Sequence, residues 1–374
     1  MAIEATPWRR VTTTQEGTPP FSVFTKLIQK SAQDDREYRI IKLENGLKAV
    51  LIHDGKADQA AASLDVAVGH LSDPDDMPGL AHFCEHLLFM GTEQFPKENE
   101  YQEYLSKNNG GSNAYTAASN TNYYFSVATS ALPGALARFS GFFHSPLFAP
   151  SCTSRELNAV DSEHKKNHQQ DLWRIFQLTK HLSKPGHVWS KFGSGNRESL
   201  SQAAKNLKAE GKLRLVEWWN KEYCASRMHL AVLGKESLDE LAELASKYFS
   251  PIPNRQADPL PMIYDHPFGP AQKGTMLSVQ TIMTFHVLDI YIPIEYQAVY
   301  WRHKPGQFLA HLIGHEGPGS LYSYLKGRGW VAALNSGPSP LGRGFDTFRI
   351  TIELTEDGFS KSACYFCVTK YSYH

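Results

Sequence analysis

Residues 76–92 read DMPGLAHFCEHLLFMGT, and this stretch decides how the rest of the chain is interpreted. It has the boundaries of a helix, because Pro78 suits a first helical turn and Gly91 suits the left-handed position after a helix end. Four large apolar residues between these boundaries predict that the helix is buried: Leu80, Leu87, Leu88 and Phe89.

Two histidines and a glutamate of this helix form the pattern His-x-x-Glu-His. His82 and His86 are one turn apart and project from one face, with Glu85 beside them. Two imidazoles at this spacing suit Zn²⁺, and a neighbouring carboxylate can take a proton from a metal-bound water. The residue order is that of the inverzincin metallopeptidases. With 16 histidines in the chain, the pattern alone leaves a structural histidine pair open as the alternative.

Composition excludes several classes of protein. The chain has 374 residues, 41% of them hydrophobic, which is enough for two or three domains. Lys+Arg 38 equals Asp+Glu 38, so we expect no nucleic-acid partner and no membrane partner. No apolar run is long enough to span a bilayer, and residues 1–18 lack the apolar core of a secretory signal.

The cysteines indicate the compartment. Five cysteines form an odd, sparse set, which predicts a reducing compartment. We therefore expect a cytoplasmic location, with a mitochondrial one as the alternative. Cys364 and Cys367 have the C-x-x-C spacing, but without a second pair we do not expect them to bind zinc or act in redox chemistry.

The pattern of elements predicts an α+β fold. Residues 38–53 predict a hairpin with an Asn45-Gly46 turn, and alternating apolar residues predict a strand at 61–68. The helical and strand patterns that follow do not alternate as regular βαβ units, so we expect two layers, one of helices and one of sheet. Four segments are predicted: an N-terminal extension at 1–37, an α+β catalytic domain at 38–250, a proline-rich linker at 251–261, and the opening part of a second, truncated domain of the same fold at 262–374.

A second helix carries candidate carboxylates. Thr153 and Glu156 have the spacing of a capping box, which predicts a long polar helix that runs towards residue 172 or beyond. Glu163 lies two turns after Glu156 on the same face, and it is a candidate for the third protein ligand of a catalytic zinc. The alternatives are that Glu163 is a solvated charge and that Glu156 is only the capping partner.

The histidine pattern at 82–86, together with RELNAVDSEH at 155–164, resembles the pitrilysin/insulysin family of metallopeptidases. The spacing from His86 to Glu163 also agrees with the third ligand of that family. The resemblance runs from about residue 39 to 354 and implies the two-layer α+β unit of the family, which full-length members contain four times around a peptide chamber. Four further segments look like family segments: 110–116, 173–178, 191–196 and 314–320.

The resemblance implies which residues form the zinc site. His82, His86 and Glu163 would bind one Zn²⁺ per chain. Glu85 would be the general base. Glu156 would not bind the metal itself but would orient one of its ligands.

The resemblance also implies residues that bind peptide substrates. Asn113 and Ala114 would form an edge strand that pairs with the substrate backbone. Side-chain pockets would be lined by Phe89, Tyr115, Trp173 and Phe176. A loop similar to an exosite for the substrate's N-terminus would contain Gly314, His315, Gly317 and Gly319. The alternatives are turn chemistry for Asn113, core packing for Trp173 and Phe176, and a plain glycine-rich loop at 314–319.

The function expected from these features is that of a zinc metalloendopeptidase. Its substrates would be small to medium peptides, insulin-like or pheromone-precursor-like, attacked by a zinc-bound water with the help of Glu85. Because insulysin-type members are more than twice as long, the alternative is a zinc- and peptide-binding fragment whose partner is the missing C-terminal half or a second copy. A processing-peptidase subunit of mitochondria fits less well, since 314–320 is insulysin-like. Residues 276–288 and 360–374 follow no family pattern and suit an imperfect gene model.

Overall fold

The computed structural model describes residues 7–13, 16–200 and 211–361. The chain divides into two compact units, each with its own sheet and hydrophobic core. The first unit consists of Met1–His164 and Lys191–Leu260, and the second of Lys165–Ser190 and Pro261–His374. No helix among the described residues is long and apolar enough to cross a membrane.

The elements follow one another in a mixed order of strands and helices. The strands are β1 (Trp8–Val11), β2 (Phe21–Phe24), β3 (Glu37–Leu43), β4 (Lys48–His53), β5 (Gln59–Val66), β6 (Gly111–Thr116), β7 (Thr121–Ala128), β8 (Met228–Gly234), β9 (His286–Glu295), β10 (Val331–Gly342) and β11 (Phe345–Leu354). The helices are α1 (Leu80–Leu88), α2 (Glu100–Lys107), α3 (Leu132–His144), α4 (Pro150–Asn167), α5 (Asp171–His181), α6 (Gly211–Glu222), α7 (Leu238–Phe249), α8 (Pro305–Ile313), α9 (Leu321–Gly327) and α10 (Glu356–Ser360).

The first unit is built on an eight-stranded sheet in the order β1-β2-β3-β4-β8-β5-β7-β6. Strands β4 and β8 are parallel, and the other neighbours are antiparallel. Every second residue of β5 is buried, as alternation in a half-covered strand requires. Helices α1, α3 and α7 contact the sheet, with α1 placed at the β6 end. The site described below therefore lies beside an edge strand.

The predicted hairpin is present as β3 and β4, which are antiparallel neighbours. Gly46 has φ +93°, the left-handed conformation that an Asn-Gly turn provides. The Asn45 side-chain amide donates to the backbone carbonyls of Phe249, at 2.8 Å, and Ile252, at 3.0 Å. The turn is thus fixed to the end of α7.

The second unit has a three-stranded antiparallel sheet in the order β10-β11-β9. Helix α8 packs on this sheet, and its Ala310 and Ile313 contact the core. Buried residues of α9, β10 and β11 form that core: Tyr322, Leu325, Val331, Leu334, Phe348, Ile350, Ile352 and Leu354.

The α+β prediction is confirmed, but the predicted end of the long polar helix is wrong. The long helix expected to reach residue 172 ends at Asn167, and α5 starts separately at Asp171. The segment 1–37 was predicted only as an N-terminal extension; in the structure its strand β1 pairs with β2, and β2 pairs with β3, so the segment extends the sheet. Four-residue strands bury too few side chains to leave an alternating pattern in the sequence.

The predicted segment boundaries remain predictions. The compact units agree with a boundary near residue 260, but the second unit also includes Lys165–Ser190. Cys364 and Cys367 lie outside the described residues.

Candidate metal centre

Helix α1 is held at its start by a carboxylate. Gly79 precedes the helix with φ +93°, and Pro78 lies outside the helix rather than in its first turn. The Asp73 carboxylate accepts the N–H groups of Gly79, at 2.7 Å, and Ala81, at 2.8 Å. Two of the N–H groups that a helix start leaves without a helical partner are thereby satisfied. Gly91 has φ +96° and stands two residues beyond the C-cap residue Phe89.

The two histidines of α1 each use the same ring nitrogen for support. His82 Nδ1 lies 2.7 Å from the Ser194 carbonyl oxygen, and His86 Nδ1 lies 3.1 Å from Glu156 Oε2. Both partners are oxygen acceptors, so each Nδ1 carries a hydrogen. Nε2 of each ring is therefore the atom that can bind a metal. A histidine that ligates a metal usually donates its other ring N–H to an oxygen acceptor in this way.

Glu163 completes a set of three ligand atoms. Its Oε2 atom lies 3.7 Å from Nε2 of His82 and 3.7 Å from Nε2 of His86. One ligand atom from each of the three residues lies within 4.8 Å of the others. Ligand atoms of a tetrahedral zinc site are about 3.3 Å apart when each is about 2.0 Å from the ion. Small side-chain movements would bring the set to that geometry, so the residues fit one Zn²⁺.

The loop that supplies the Ser194 carbonyl is fixed to both helices of the site. A Cβ atom on Gly79 would lie 2.2 Å from Gly195 Cα, so the two backbones can approach this closely only because residue 79 is glycine. On the other side, Asp161 of α4 accepts the N–H of Arg197 at 3.0 Å. The loop therefore links α1, which carries the histidines, to α4, which carries Glu163.

Glu85 is buried next to the ligand set. Its side chain accepts a hydrogen bond from Thr116 Oγ1 at 2.6 Å. Burial raises the pKa of Glu85 above its usual range, and the charge of His82 and the hydroxyl of Thr116 oppose that rise. A carboxylate with a raised pKa is a better proton acceptor near neutral pH, which is the property of a general base.

His86 is surrounded by carboxylates. Burial lowers its pKa, but the hydrogen bonds to Glu156 and Glu163 and the charge of Glu85 outweigh burial and raise the pKa to about 9. A metal ion at this ring has to displace a proton. The same negative charges that hold the proton also favour a divalent cation.

Two protein-family models match the chain. The one described as Insulinase (Peptidase family M16) matches residues 48–186, and the one described as Peptidase M16 inactive domain matches residues 212–365. Together they match more than half of the chain. The chain belongs to peptidase family M16.

Relatives and solved structures agree with this M16 assignment. Insulin-degrading enzyme of Homo sapiens is 46% identical over 331 residues, which are 88% of this chain and 32% of the relative. A protein of Schizosaccharomyces pombe named as a zinc protease is 45% identical over 327 residues, 87% of this chain and 34% of the relative. The crystal structure of pitrilysin matches with a TM-score of 0.84 and 30% identity over 94% of this chain and 36% of that chain. The chain spans about a third of the length of these M16 proteins.

The predicted substrate residues of the first M16 unit lie on or near the edge strand. Asn113 and Tyr115 of β6 are exposed, while Ala114 is half-buried. The Asn113 side-chain oxygen accepts the N–H of Ala114 at 2.9 Å. Phe89 packs edge-on against Phe142, with ring centroids 5.1 Å apart. Their roles in substrate binding stay predictions.

The remaining predicted substrate residues belong to the second M16 unit. Trp173 and Phe176 are exposed on α5, with ring centroids 6.1 Å apart. In the loop after α8, His315 Nδ1 accepts the N–H of Gly317 at 3.1 Å. Gly319 has φ +85°, and Gly314 is the C-cap residue of α8. These roles also stay predictions.

Three groups that form part of the site were not predicted from the sequence, and one alternative interpretation of a site residue is wrong. The Ser194 carbonyl and the Asp73 carboxylate had no assigned role, and a backbone carbonyl leaves no trace in residue type. Thr116 could have been found, since alternation in β6 puts it on the same face as Ala114. The capping-box interpretation of Glu156 is wrong, because α4 already begins at Pro150.

Proposed function

We propose that this chain is the zinc-binding part of an M16 metalloendopeptidase, with His82, His86 and Glu163 as the ligands of one Zn²⁺. One observation carries the proposal: a single Glu163 oxygen lies 3.7 Å from Nε2 of both histidines, while both Nδ1 atoms are engaged by oxygen acceptors. Two neutral imidazoles and a carboxylate are a donor set that catalytic zinc uses.

Bound zinc supplies a Lewis acid that polarises the scissile carbonyl and makes water more acidic. Glu85 accepts the proton of the attacking water and then returns it to the nitrogen of the departing amine. The raised pKa of Glu85 suits both steps, since the group must take up the proton and release it again. Thr116 holds one oxygen of this carboxylate, which fixes the orientation of the other.

The proposed substrates are small to medium peptides. Strand β6 ends the sheet, so an extended peptide can add to it through Asn113 and Ala114. Tyr115, Phe89, Trp173, Phe176 and the loop at 314–319 are proposed to contact substrate side chains or its N-terminus. The name of the human relative, insulin-degrading enzyme, supports a peptide of the insulin type.

The test is hydrolysis of an internally quenched peptide by the purified chain and by a Glu85→Gln variant, with zinc content measured on both. We expect turnover in the unaltered chain, loss of turnover in the variant and one zinc in each. Hydrolysis that persists after removal of zinc by a chelator would contradict the proposal.

A second candidate is a fragment that binds zinc and peptides with little turnover. The chain's coverage of 32% of the human relative favours it. This candidate predicts that both proteins of the test bind zinc and that neither hydrolyses the peptide. Its proposed partners are the remaining part of the family polypeptide or a second copy of the chain.

We also propose a reducing, cytoplasmic location. Cys84, Cys152 and Cys224 are buried free thiols in the described part of the chain, as expected where disulfides do not form.

A further inference from the structure

The three proposed metal ligands are not equally fixed by burial. The side chains of His82 and His86 are 15% and 23% exposed, whereas that of Glu163 is 41% exposed. Glu163 lies within the last two turns of α4, which ends at Asn167. Its distance to the histidines therefore depends on what holds this end of α4, and the loop at 191–197 contacts it.

The loop contacts α4 on both sides of Glu163. Before this residue, the Asp161 carboxylate accepts the backbone N–H of Arg197 at 3.0 Å. After it, the imidazole of His164 packs edge-on against the ring of Phe192, with the ring centroids 5.0 Å apart. The two contacts are made two residues before and one residue after the ligand. The loop thus fixes the backbone of α4 at the point from which the Glu163 side chain projects.

The same loop is attached to α1 by contacts that do not involve α4. The Ser194 carbonyl oxygen lies 2.7 Å from Nδ1 of His82. The Lys191 ammonium group donates to the backbone carbonyl of Asp73 at 2.6 Å, and the Asp73 carboxylate accepts two N–H groups at the start of α1. One short loop therefore contacts the helix of the histidines and the helix of the glutamate at the same time.

Asp161 is placed to act on the metal centre without binding the metal. Side chains two residues apart on an α-helix point about 200° apart, so Asp161 is directed away from the side of α4 on which Glu163 lies. Asp161 is 8% exposed, and its second carboxylate oxygen lies 3.9 Å from Nε of Arg197. A buried carboxylate is costly unless it is paired and hydrogen-bonded, and Arg197 of the loop supplies both kinds of contact.

We propose that Asp161 is a positioning residue for the ligand Glu163: its bond to the Arg197 N–H holds the end of α4 at the distance from α1 that a three-ligand site requires. The inference rests on the function proposed above, in which these residues bind zinc. Because the contacts of the loop with α1 do not need Asp161, its loss should weaken the contribution of Glu163 to metal binding. The contribution of the two histidines should stay unchanged.

The experiment measures metal affinity by competition with a chromophoric chelator. Asp161→Ala should lower zinc affinity about 10–100-fold, as loss of a residue that orients a metal ligand does. Asp161→Asn should retain most of the affinity, because its amide oxygen still accepts the Arg197 N–H. Asp58→Ala is the matched control, since Asp58 is exposed in the first unit, and it should leave the affinity unchanged.

A double-mutant cycle separates positioning from general support of the fold. It uses Cu²⁺, which binds nitrogen ligands more tightly than zinc does and so remains measurable when only the histidines are left. Asp161→Ala should weaken Cu²⁺ binding about tenfold or more in the chain that has Glu163. In the Glu163→Ala chain the same substitution should have no effect, because the group that Asp161 positions is absent.

Hydrogen exchange of the metal-free chains measures the position of α4 directly. The amides of residues 161–164 should exchange faster in Asp161→Ala than in the unaltered chain, while those of α1 should not change. If Asp161→Ala does not fold, Asp161→Ser takes its place in all measurements, since its oxygen is one bond closer to the backbone and loses the contact with Arg197.

Three results would overturn the inference. One is a folded Asp161→Ala variant that binds zinc as tightly as the unaltered chain. Another is an equal loss of Cu²⁺ affinity with and without Glu163, because Asp161 would then support the fold in general. The third is unchanged exchange of residues 161–164. An unaltered chain that binds neither metal would overturn the proposed function together with this inference, so the two failures are distinguishable.

Discussion

Helices α1 and α8 hold the same place in their units, since α1 follows β5 of the run β5-β7-β6 and α8 follows β9 of the run β9-β11-β10, but only α1 carries a set of metal-ligating side chains. With Phe83 aligned to Phe308, the three site positions of α1 correspond to Gln307, Ala310 and His311 of α8. Helix α8 still packs on its sheet, with Ala310 against the core where α1 has its buried glutamate. The same arrangement of helix and sheet therefore occurs without the metal-ligating residues.

The surroundings of the histidine that the two helices share, His86 in α1 and His311 in α8, differ as well. His86 is half-buried between two carboxylates of α4, whereas His311 is exposed and its ring lies 5.8 Å from that of His315. A histidine at this position of the helix is consequently only part of a metal centre. The first unit combines it with a second helix that brings Glu156 and Glu163 to the same point.

The largest effect is expected from His82→Gln, which copies the residue of α8 into α1. An amide in place of an imidazole removes one of three ligands, so zinc content after dialysis should fall from one per chain to near zero, and hydrolysis to background. Metal analysis of the dialysed protein checks this. His303→Gln, an exposed histidine of the second unit, should change neither quantity. A variant at residue 82 that retains a full zinc equivalent would show that His82 is not a ligand.

Glu85→Ala places in α1 the alanine that α8 has at the aligned position, Ala310. It should lower the rate of hydrolysis without loss of zinc binding. The loss of a general base lowers turnover by about 10²–10⁴-fold, while the ligand set stays intact. Steady-state hydrolysis and zinc content, measured on the same preparation, check the two parts. If turnover and zinc are lost together, Glu85 acts in holding the metal or the fold rather than in proton transfer.

The third prediction concerns packing and uses the aligned phenylalanines. Phe83→Ala removes a ring from the core of the first unit and should lower the free energy of unfolding by about 3–5 kcal/mol. Phe308→Ala removes a ring that is mostly in solvent and should change it by no more than about 0.5 kcal/mol. Urea unfolding followed by circular dichroism gives both values. If both substitutions lower the free energy of unfolding equally, Phe83 and Phe308 are equally buried in solution.

Much of the candidate site could be predicted because short-range geometry determines it. The spacing of His82 and His86 on a helix puts both rings on one face, and the resemblance to a metallopeptidase family pointed to Glu163. The structure brings these three residues together, although their binding of zinc stays a proposal. The α+β fold followed from alternating strands and from helices whose spacing is visible in the sequence.

What could not be predicted depends on contacts between distant segments. The same four-residue signal appears at Thr153 and at Ser237, but only Ser237 forms a capping box, in which its side chain and that of Glu240 bind each other's backbone N–H groups. Thr153 lies inside a helix that already began at Pro150. The two segments share only the Ser/Thr-x-x-Glu spacing, and this spacing alone does not determine where a helix begins.

The smallest of the predicted effects concerns Glu156. This residue of α4 is not a predicted ligand but contacts the ligand His86 of α1. Glu156→Ala removes the acceptor of His86 Nδ1–H, which frees the ring to rotate, and zinc affinity should fall about 10–100-fold. Glu156→Gln should lie between that variant and the unaltered chain, because its amide oxygen still accepts the hydrogen bond but without a charge. Competition with a chromophoric chelator measures the affinities, and Glu217→Gln, an exposed glutamate of α6, is the charge-matched control. If the alanine variant binds zinc as tightly as the unaltered chain, the carboxylates of α4 do not orient His86, and the contrast between α1 and α8 reduces to the ligands alone.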